Sequence, residues 1–272
     1  MTVVIAWREP GPDLLWMVSD SRISQPGHVG QSVLTDHGAK ILEIPVHLAR
    51  SANSGFFDQT ASRTTFGFAY AGSSLIALQA YAAVVPLWSR LVTVGESSLP
   101  SLAHFASHLG KFLEAYAKGV GATGGDPRCE CLLVGWDSEI NAVSAIAIET
   151  AQNDGAVSMR TACSSAGTVE ILGSEKESVR QGISTLPEDP DPSYSPANRS
   201  ALRYIRSTLK NTYRQDIGGG VQIGFANRTG FEISFDVQPL SGSWVPDMRY
   251  RGFNMEDIGT VGEAFISLKG MG

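Results

Sequence analysis

The chain has 272 residues, 43% hydrophobic and 18% charged, with a formal net charge of −6; this is ample for a buried core and unlike a disordered composition. An acidic balance without a basic run argues against nucleic acid or an anionic membrane surface as a partner, and three cysteines make no disulfide scaffold. Arg8, Glu9 and Asp13 interrupt any apolar signal segment, and the most apolar stretch, LIALQAYAAVVPLW, contains Gln79 and Pro86 and is too short to span a bilayer, so a cytoplasmic protein is expected.

In chain order, VVIAW (3–7) and LLWMVS (14–19) read as two strands joined by the turn chemistry of REPGPD, a hairpin. GAKILEIPV and TTFGFAYAG read as a second strand pair. The stretch between them, HLARSANSGFFDQTASR, is long for a hairpin loop and reads as an insertion or a mobile flap. SLIALQAYAAVVPLWSRL has helical spacing, with Pro86 ending or kinking it. A second helix is expected from about Ser98, with Pro100 in its first turn and Leu102, Phe105, Leu109, Phe112, Leu113 and Tyr116 along one stripe.

KGVGATGGDPR then reads as a loop, with Gly119 ending the helix before it. Strands follow at CLLVGW, AVSAIAIE and AVSMRTA. TVEILGSEKESVRQGIST reads as helical up to the linker PEDPDPSYSP, and ANRSALRYIRSTLKNTYRQ as another helix. VQIGFAN and GFEISFDV are the last strands before an irregular tail. Blocks of strands and helices fit two sheets with helix pairs outside them, in one domain spanning 1–272.

Several constellations have ordinary readings. GVGATG matches G-x-G-x-x-G, but a helix precedes it where the dinucleotide fingerprint needs a strand. His104 and His108 lie opposite the apolar stripe and read as a solvated face, HFASH lacking the glutamate of H-E-x-x-H. Cys129 and Cys131 share one face of a strand and read as small buried hydrophobes. No metal or cofactor is implied.

Thr2 is different. With Met1 removed, it carries a free α-amine beside its own hydroxyl, and that amine, with an unperturbed pKa of about 7.7–8.0, can serve as its base. With Met1 retained, Thr2 is an ordinary strand-opening residue. MVSDSRIS sets Asp20 at the end of the strand beside that of Thr2, TDHGAKIL sets Lys40 at the start of the next, and FAYAGSS sets Gly72 between a strand and a helix. Hydroxyl, amine, lysine, carboxylate and backbone donor are the parts of an N-terminal nucleophile site.

This order resembles the proteasome family of N-terminal nucleophile hydrolases. It is sharpest over residues 2–74: Thr2 opening a strand, SDSR at Ser19–Arg22, AKI at Ala39–Ile41, and AG at Ala71–Gly72. CLLVGW followed by AVSAIAIE resembles the family's next strand pair. The resemblance implies an α+β, four-layer αββα sandwich and a threonine endopeptidase. Thr2 Oγ would attack the amide carbonyl, with its amine shuttling the proton. Lys40 would lower that amine's pKa, Asp20 would orient Lys40, and the Gly72 N–H would stabilise the oxyanion. Threonine directly after methionine looks more like the HslV-type and Anbu-type bacterial members.

Two positions depart from the family. Its serine in a G-S-G turn is matched here with CSSAG, which offers Ser165 after a one-residue shift. Its aspartate and serine before a G-G are matched with RQDIGGG, where Asp216 is displaced by about one residue and Gly218 replaces the serine. HslV-type members resemble this chain in lacking that pair. Extra length is expected near 46–65, near 186–194 and in a C-terminal extension.

The resemblance further implies a homo-oligomeric ring, peptides or unfolded proteins as substrates, and an ATP-driven unfoldase as a candidate partner. Two other readings remain open: an amidohydrolase acting on small amides, and a non-catalytic structural ring subunit.

Overall fold

The computed structural model describes residues 3–9, 13–26, 31–51, 57, 59–94, 98–186, 196–210, 217–238 and 247–271. Strands β1 (Val3–Arg8), β2 (Leu15–Asp20), β3 (Ile23–Pro26), β4 (Gln31–Thr35), β5 (Ile41–Arg50) and β6 (Gln59–Gly72) precede helix α1 (Ser74–Trp88). A short β7 (Leu91–Thr93) leads to α2 (Leu102–Ala122). Next come β8 (Cys129–Asp137), β9 (Ala142–Thr150), β10 (Val157–Ala162) and β11 (Val169–Gly173), then α3 (Lys176–Ser184) and α4 (Pro196–Leu209). β12 (Val221–Asn227) and β13 (Gly230–Gln238) follow. The chain closes with β14 (Asp247–Tyr250), β15 (Phe253–Asn254), α5 (Met255–Ile258), β16 (Thr260–Val261), β17 (Ala264–Phe265) and β18 (Lys269–Met271).

Two sheets stack face to face. The first has the order β11-β1-β2-β12-β13-β14-β15, with β18 also on β13; the second has the order β10-β9-β8-β6-β5-β7. Ile76, Ala80, Leu109 and Leu113 of α1 and α2 pack on Phe66, Phe68 and Leu133 of the second sheet. Val179, Leu202 and Ile205 of α3 and α4 pack on Val3, Ile5 and Val18 of the first. The result is an α+β, four-layer αββα sandwich. Because each sheet is covered on both faces, β1 is buried from Val3 to Trp7 and reads as an unbroken apolar run.

The layer between the sheets mixes alanines with larger apolar side chains such as Met17, Leu132 and Leu172. Ala6 and Ala226 of the first sheet meet Ala69, Ala71, Ala145 and Ala147 of the second. One ring crosses the gap: Phe231 of β13 lies where a Cβ on Gly67 of β6 or on Gly224 of β12 would stand. Those two glycines are therefore space for Phe231.

Several expectations are corrected. Most of the stretch 47–63 is strand, since β5 runs to Arg50 and β6 begins at Gln59. Residues 52–56 and 58 lie outside the described ones. α2 begins at Leu102 behind the N-cap Ser101, so Pro100 precedes the helix. It also continues through Gly119 to Ala122, so Gly119 does not end it. VEILG (Val169–Gly173) is strand β11 rather than helix, held by five pairs with β1. His108 is half-buried and accepts a hydrogen bond from Trp88 Nε1 at 3.1 Å, rather than lying on a wholly solvated face. The β3–β4 hairpin was not foreseen.

Gly67→Ala forces Phe231 out of its slot. The expected loss is about 1–3 kcal/mol in urea-induced unfolding, as for other overpacked cores. A change within 0.5 kcal/mol, on the order of that for a neutral surface site, contradicts the slot.

Candidate active site

The four residues of SDSR each have a separate task where β2 ends. Ser19 Oγ donates to the Val3 carbonyl at 2.8 Å, fixing the start of β1. Asp20 accepts from Lys40 Nζ at 2.7 Å, and neither side chain has any solvent exposure. Ser21 Oγ accepts from Gly220 N, and Arg22 grips Asp36 with Nε at 2.6 Å and Nη2 at 3.2 Å. That guanidinium holds the Asp36 carboxyl below its ordinary value.

The Asp20 carboxylate is met by four donors. Oδ1 takes Lys40 Nζ and Val3 N at 3.4 Å; Oδ2 takes Arg22 N at 3.2 Å and Gly218 N at 3.1 Å. A buried ion pair is stable only when its remaining hydrogen-bonding capacity is used. Here backbone amides use it, and in doing so they tie the first described residue of the chain to the pair.

Gln222 positions the lysine and was not foreseen. Its Oε1 accepts from Lys40 N (2.9 Å) and Ile41 N (3.2 Å). Its Nε2 donates to Asp20 O (3.0 Å) and Gly38 O (2.9 Å). One buried amide thereby locks β2, β5 and β12 together. The available signal was a lone amide in the otherwise apolar VQIGF.

Gly72 ends β6 at the same end of the sandwich. Tyr70, two residues earlier, donates its N–H to Lys40 O at 3.2 Å and its phenol to Ala39 O at 2.8 Å. Burial pushes that phenol far above its ordinary value, so it stays a neutral donor. Gly72 has φ +91°, and a Cβ there would meet Arg128 O at 2.7 Å, so only glycine fits. Gly72 is exposed, beside the Ser73 N-cap of α1.

Ser165 is not brought to this place. It lies in the β10–β11 turn, where Gly167 N donates to Arg8 O. That is the opposite end of β1 from Val3, about 17 Å away at 3.3 Å per residue. The antiparallel register Val3↔Gly173 to Trp7↔Val169 brings the other end of β11 to Val3 instead. The serine next to that end is Ser174, exposed, in Gly173-Ser174-Glu175. Sequence reading misses it because this stretch reads as helix from its pattern alone. Thr2 and Asp216 lie outside the described residues.

The cysteines are unsuited as nucleophiles. All three are buried; burial pushes the Cys131 thiol well up and that of Cys163 up to about 12. Among the described residues no group of His, Cys, Asp and Glu is arranged to hold a metal ion. Among them, too, no helix is long and apolar enough to cross a membrane.

Asp20→Ala removes the carboxylate from an ammonium and three backbone amides, whereas Lys40→Met leaves a carboxylate still met by three amides. Asp20→Ala is therefore expected to be the more destabilising, by about 3–5 kcal/mol against wild type. Urea titrations of both variants check the order, and the reverse ranking contradicts this account of the pair.

No family profile and no curated protein matches the sequence. Solved structures do. The chain is similar to Anbu (ancestral beta-subunit) from Yersinia bercovieri, with TM-score 0.52 and 17% identity over 82% of this chain and 81% of that one. It is also similar to the Anbu complex from Pseudomonas aeruginosa in its helical assembly, with TM-score 0.54 and 14% identity over 85% of each chain. A third is Anbu from Hyphomicrobium sp. strain MC1, with TM-score 0.52 and 13% identity over 85% and 84% of the two chains. At these identities the likeness is one of fold: the chain shares the layered architecture of these proteins.

Proposed function

We propose that this protein is a threonine-type peptidase of the proteasome-like N-terminal nucleophile class, with Thr2 as nucleophile once Met1 is removed. The observation that carries this reading is the buried Lys40–Asp20 pair, whose carboxylate also takes the N–H of Val3, the residue after Thr2. An ion pair built only for stability has no need to bind the start of the first strand.

In this reading Thr2 Oγ attacks the scissile carbonyl while the α-amine takes the hydroxyl proton. The amine returns that proton to the departing amino group as the C–N bond breaks. Water, deprotonated by the same amine, then hydrolyses the ester and frees the second peptide. The Gly72 N–H meets the oxyanion, an effect of about 10²–10³ in rate per donor. Ser174, directly after the Gly173 that pairs with Val3, takes the role that the sequence reading gives to Ser165. The subunit is proposed to be a single domain with a C-terminal extension, assembling as a homo-oligomer. The fold it shares with proteins solved as a complex supports that assembly.

Two measurements test the reading. The intact mass is expected to lack one methionine, and peptide turnover to vanish in Thr2→Ala. A retained Met1, or cleavage persisting in Thr2→Ala, overturns it. The second is a pH profile. The base must be neutral, so kcat/KM is expected to fall as pH drops through the amine's pKa. Lys40→Met removes a neighbouring cation, so its acid limb moves to higher pH. An unchanged acid limb contradicts the role given to Lys40.

A further inference from the structure

The turn Gly173-Ser174-Glu175 is strained and needs outside support. Gly173 has φ +104°, and Glu175, with a full side chain, has φ +59°. A left-handed non-glycine residue costs on the order of 1–3 kcal/mol and persists only where its surroundings over-determine it. Glu175 is also the N-cap of α3, without a side-chain capping bond.

The support comes from the other sheet. Glu130 on β8 reaches across the gap, and its Oε2 accepts from Gly173 N at 3.0 Å and from Lys176 Nζ at 2.8 Å. Gly173 and Lys176 are the residues on either side of Ser174-Glu175. The carboxylate thus closes the turn at both ends, one by a backbone bond and one by an ion pair. The side chains of Glu130 and Lys176 keep 28% and 35% exposure, so the clamp is largely shielded without being sealed.

Lys176 has a second task. Glu130 and Glu149 stand directly opposite each other on β8 and β9, where like charges are destabilising. Lys176 Nζ lies 2.8 Å from one carboxylate and 3.9 Å from the other, and Arg160 Nη2 lies 3.6 Å from Glu149. Two facing carboxylates therefore demand a cation, and the cation is the first residue of α3. The acidic pair pulls the start of α3, and the turn before it, onto the second sheet. Glu130 is moreover the partner of Ala71, the neighbour of Gly72. One carboxylate thereby connects the Ser174 turn, beside Val3, to the strand end bearing the backbone donor.

We propose that Glu130 and Lys176 are positioning residues for the Thr2 site, setting the distance of Ser174 and Gly72 from the N-terminus. This rests on the peptidase reading above. Glu130→Ala is expected to lower kcat for a fluorogenic peptide by about 10–100-fold, the scale of a small misplacement of reacting groups, with KM within about twofold. Lys176→Met falls similarly, and Lys176→Arg restores most of the rate. Lys176→Met, at a partly exposed side chain, carries the same test where Glu130→Ala does not fold. Hydrogen exchange read independently of activity is expected to quicken about tenfold at the Gly173–Lys176 amides in both variants, as a local opening does. Unchanged exchange there overturns the clamp. Quickened exchange with kcat within about twofold of wild type overturns the positioning role, since no misplacement cost then appears. A wild-type protein without turnover overturns the peptidase reading itself, while exchange still decides the clamp.

Discussion

Lys40 and Asp20 bring two opposite charges into a place with no solvent, and the surrounding segments are shaped by that constraint. Burying each ion costs several kcal/mol, and their attraction offsets this only when every remaining lone pair is also met. Asp20 has room for about four donors and receives four: the lysine and three backbone amides. Those amides come from the start of β1, the residues after β2 and the turn before β12. Gln222 then fixes the backbone of Lys40 itself. The charge pair thereby converts an electrostatic demand into the relative placement of chain segments far apart in sequence.

The packing between the sheets serves the same end. Alanines on both inner faces let the sheets come close, and Phe231 fills the one gap left by Gly67 and Gly224. Close-packed layers deform little, so the strand ends keep fixed mutual positions. A site assembled from the ends of β1, β2, β6, β8 and β11 depends on that rigidity.

Much of this was legible in the sequence where local pattern and tertiary role coincide. Ser19-Asp20 and Ala71-Gly72 close strands whose apolar runs are plain, Lys40 stands just before another, and Asp20, Lys40 and Gly72 lie at one end of the sandwich. Ser174 was not legible, because its neighbourhood mixes a short strand with a helix and only the register with β1 separates them. CSSAG offered a serine of the right type at the wrong end of the same strand. Glu130 and Lys176 were hidden for another reason. A glutamate between two cysteines reads as the solvent face of a strand, and nothing local reveals that its partner lies 46 residues away. Gln222 left a trace, a lone amide in an apolar run, whose meaning only the backbone groups around it supply.

Chain ends fray unless they are tied down, and a terminal nucleophile must hold its position to a fraction of an ångström. In this structure β1 is pinned at each end to the opposite sheet. At the far end Arg8 binds Asp13 at 2.7 Å, the Cys163 carbonyl at 2.9 Å and the carbonyl of Val143, while Asp13 accepts from Val143 N at 2.7 Å. At the near end the Lys40–Asp20 pair holds Val3 from one side, and the clamped Gly173 pairs with it from the other. β1 is also paired over five residues with β11 and over five with β2, and a one-residue slip would turn every side chain to the other face. Two pins, each joining both sheets, add to the pairing that fixes Val3–Arg8 in one register. The reading of Thr2 as nucleophile accordingly rests on the whole length of β1.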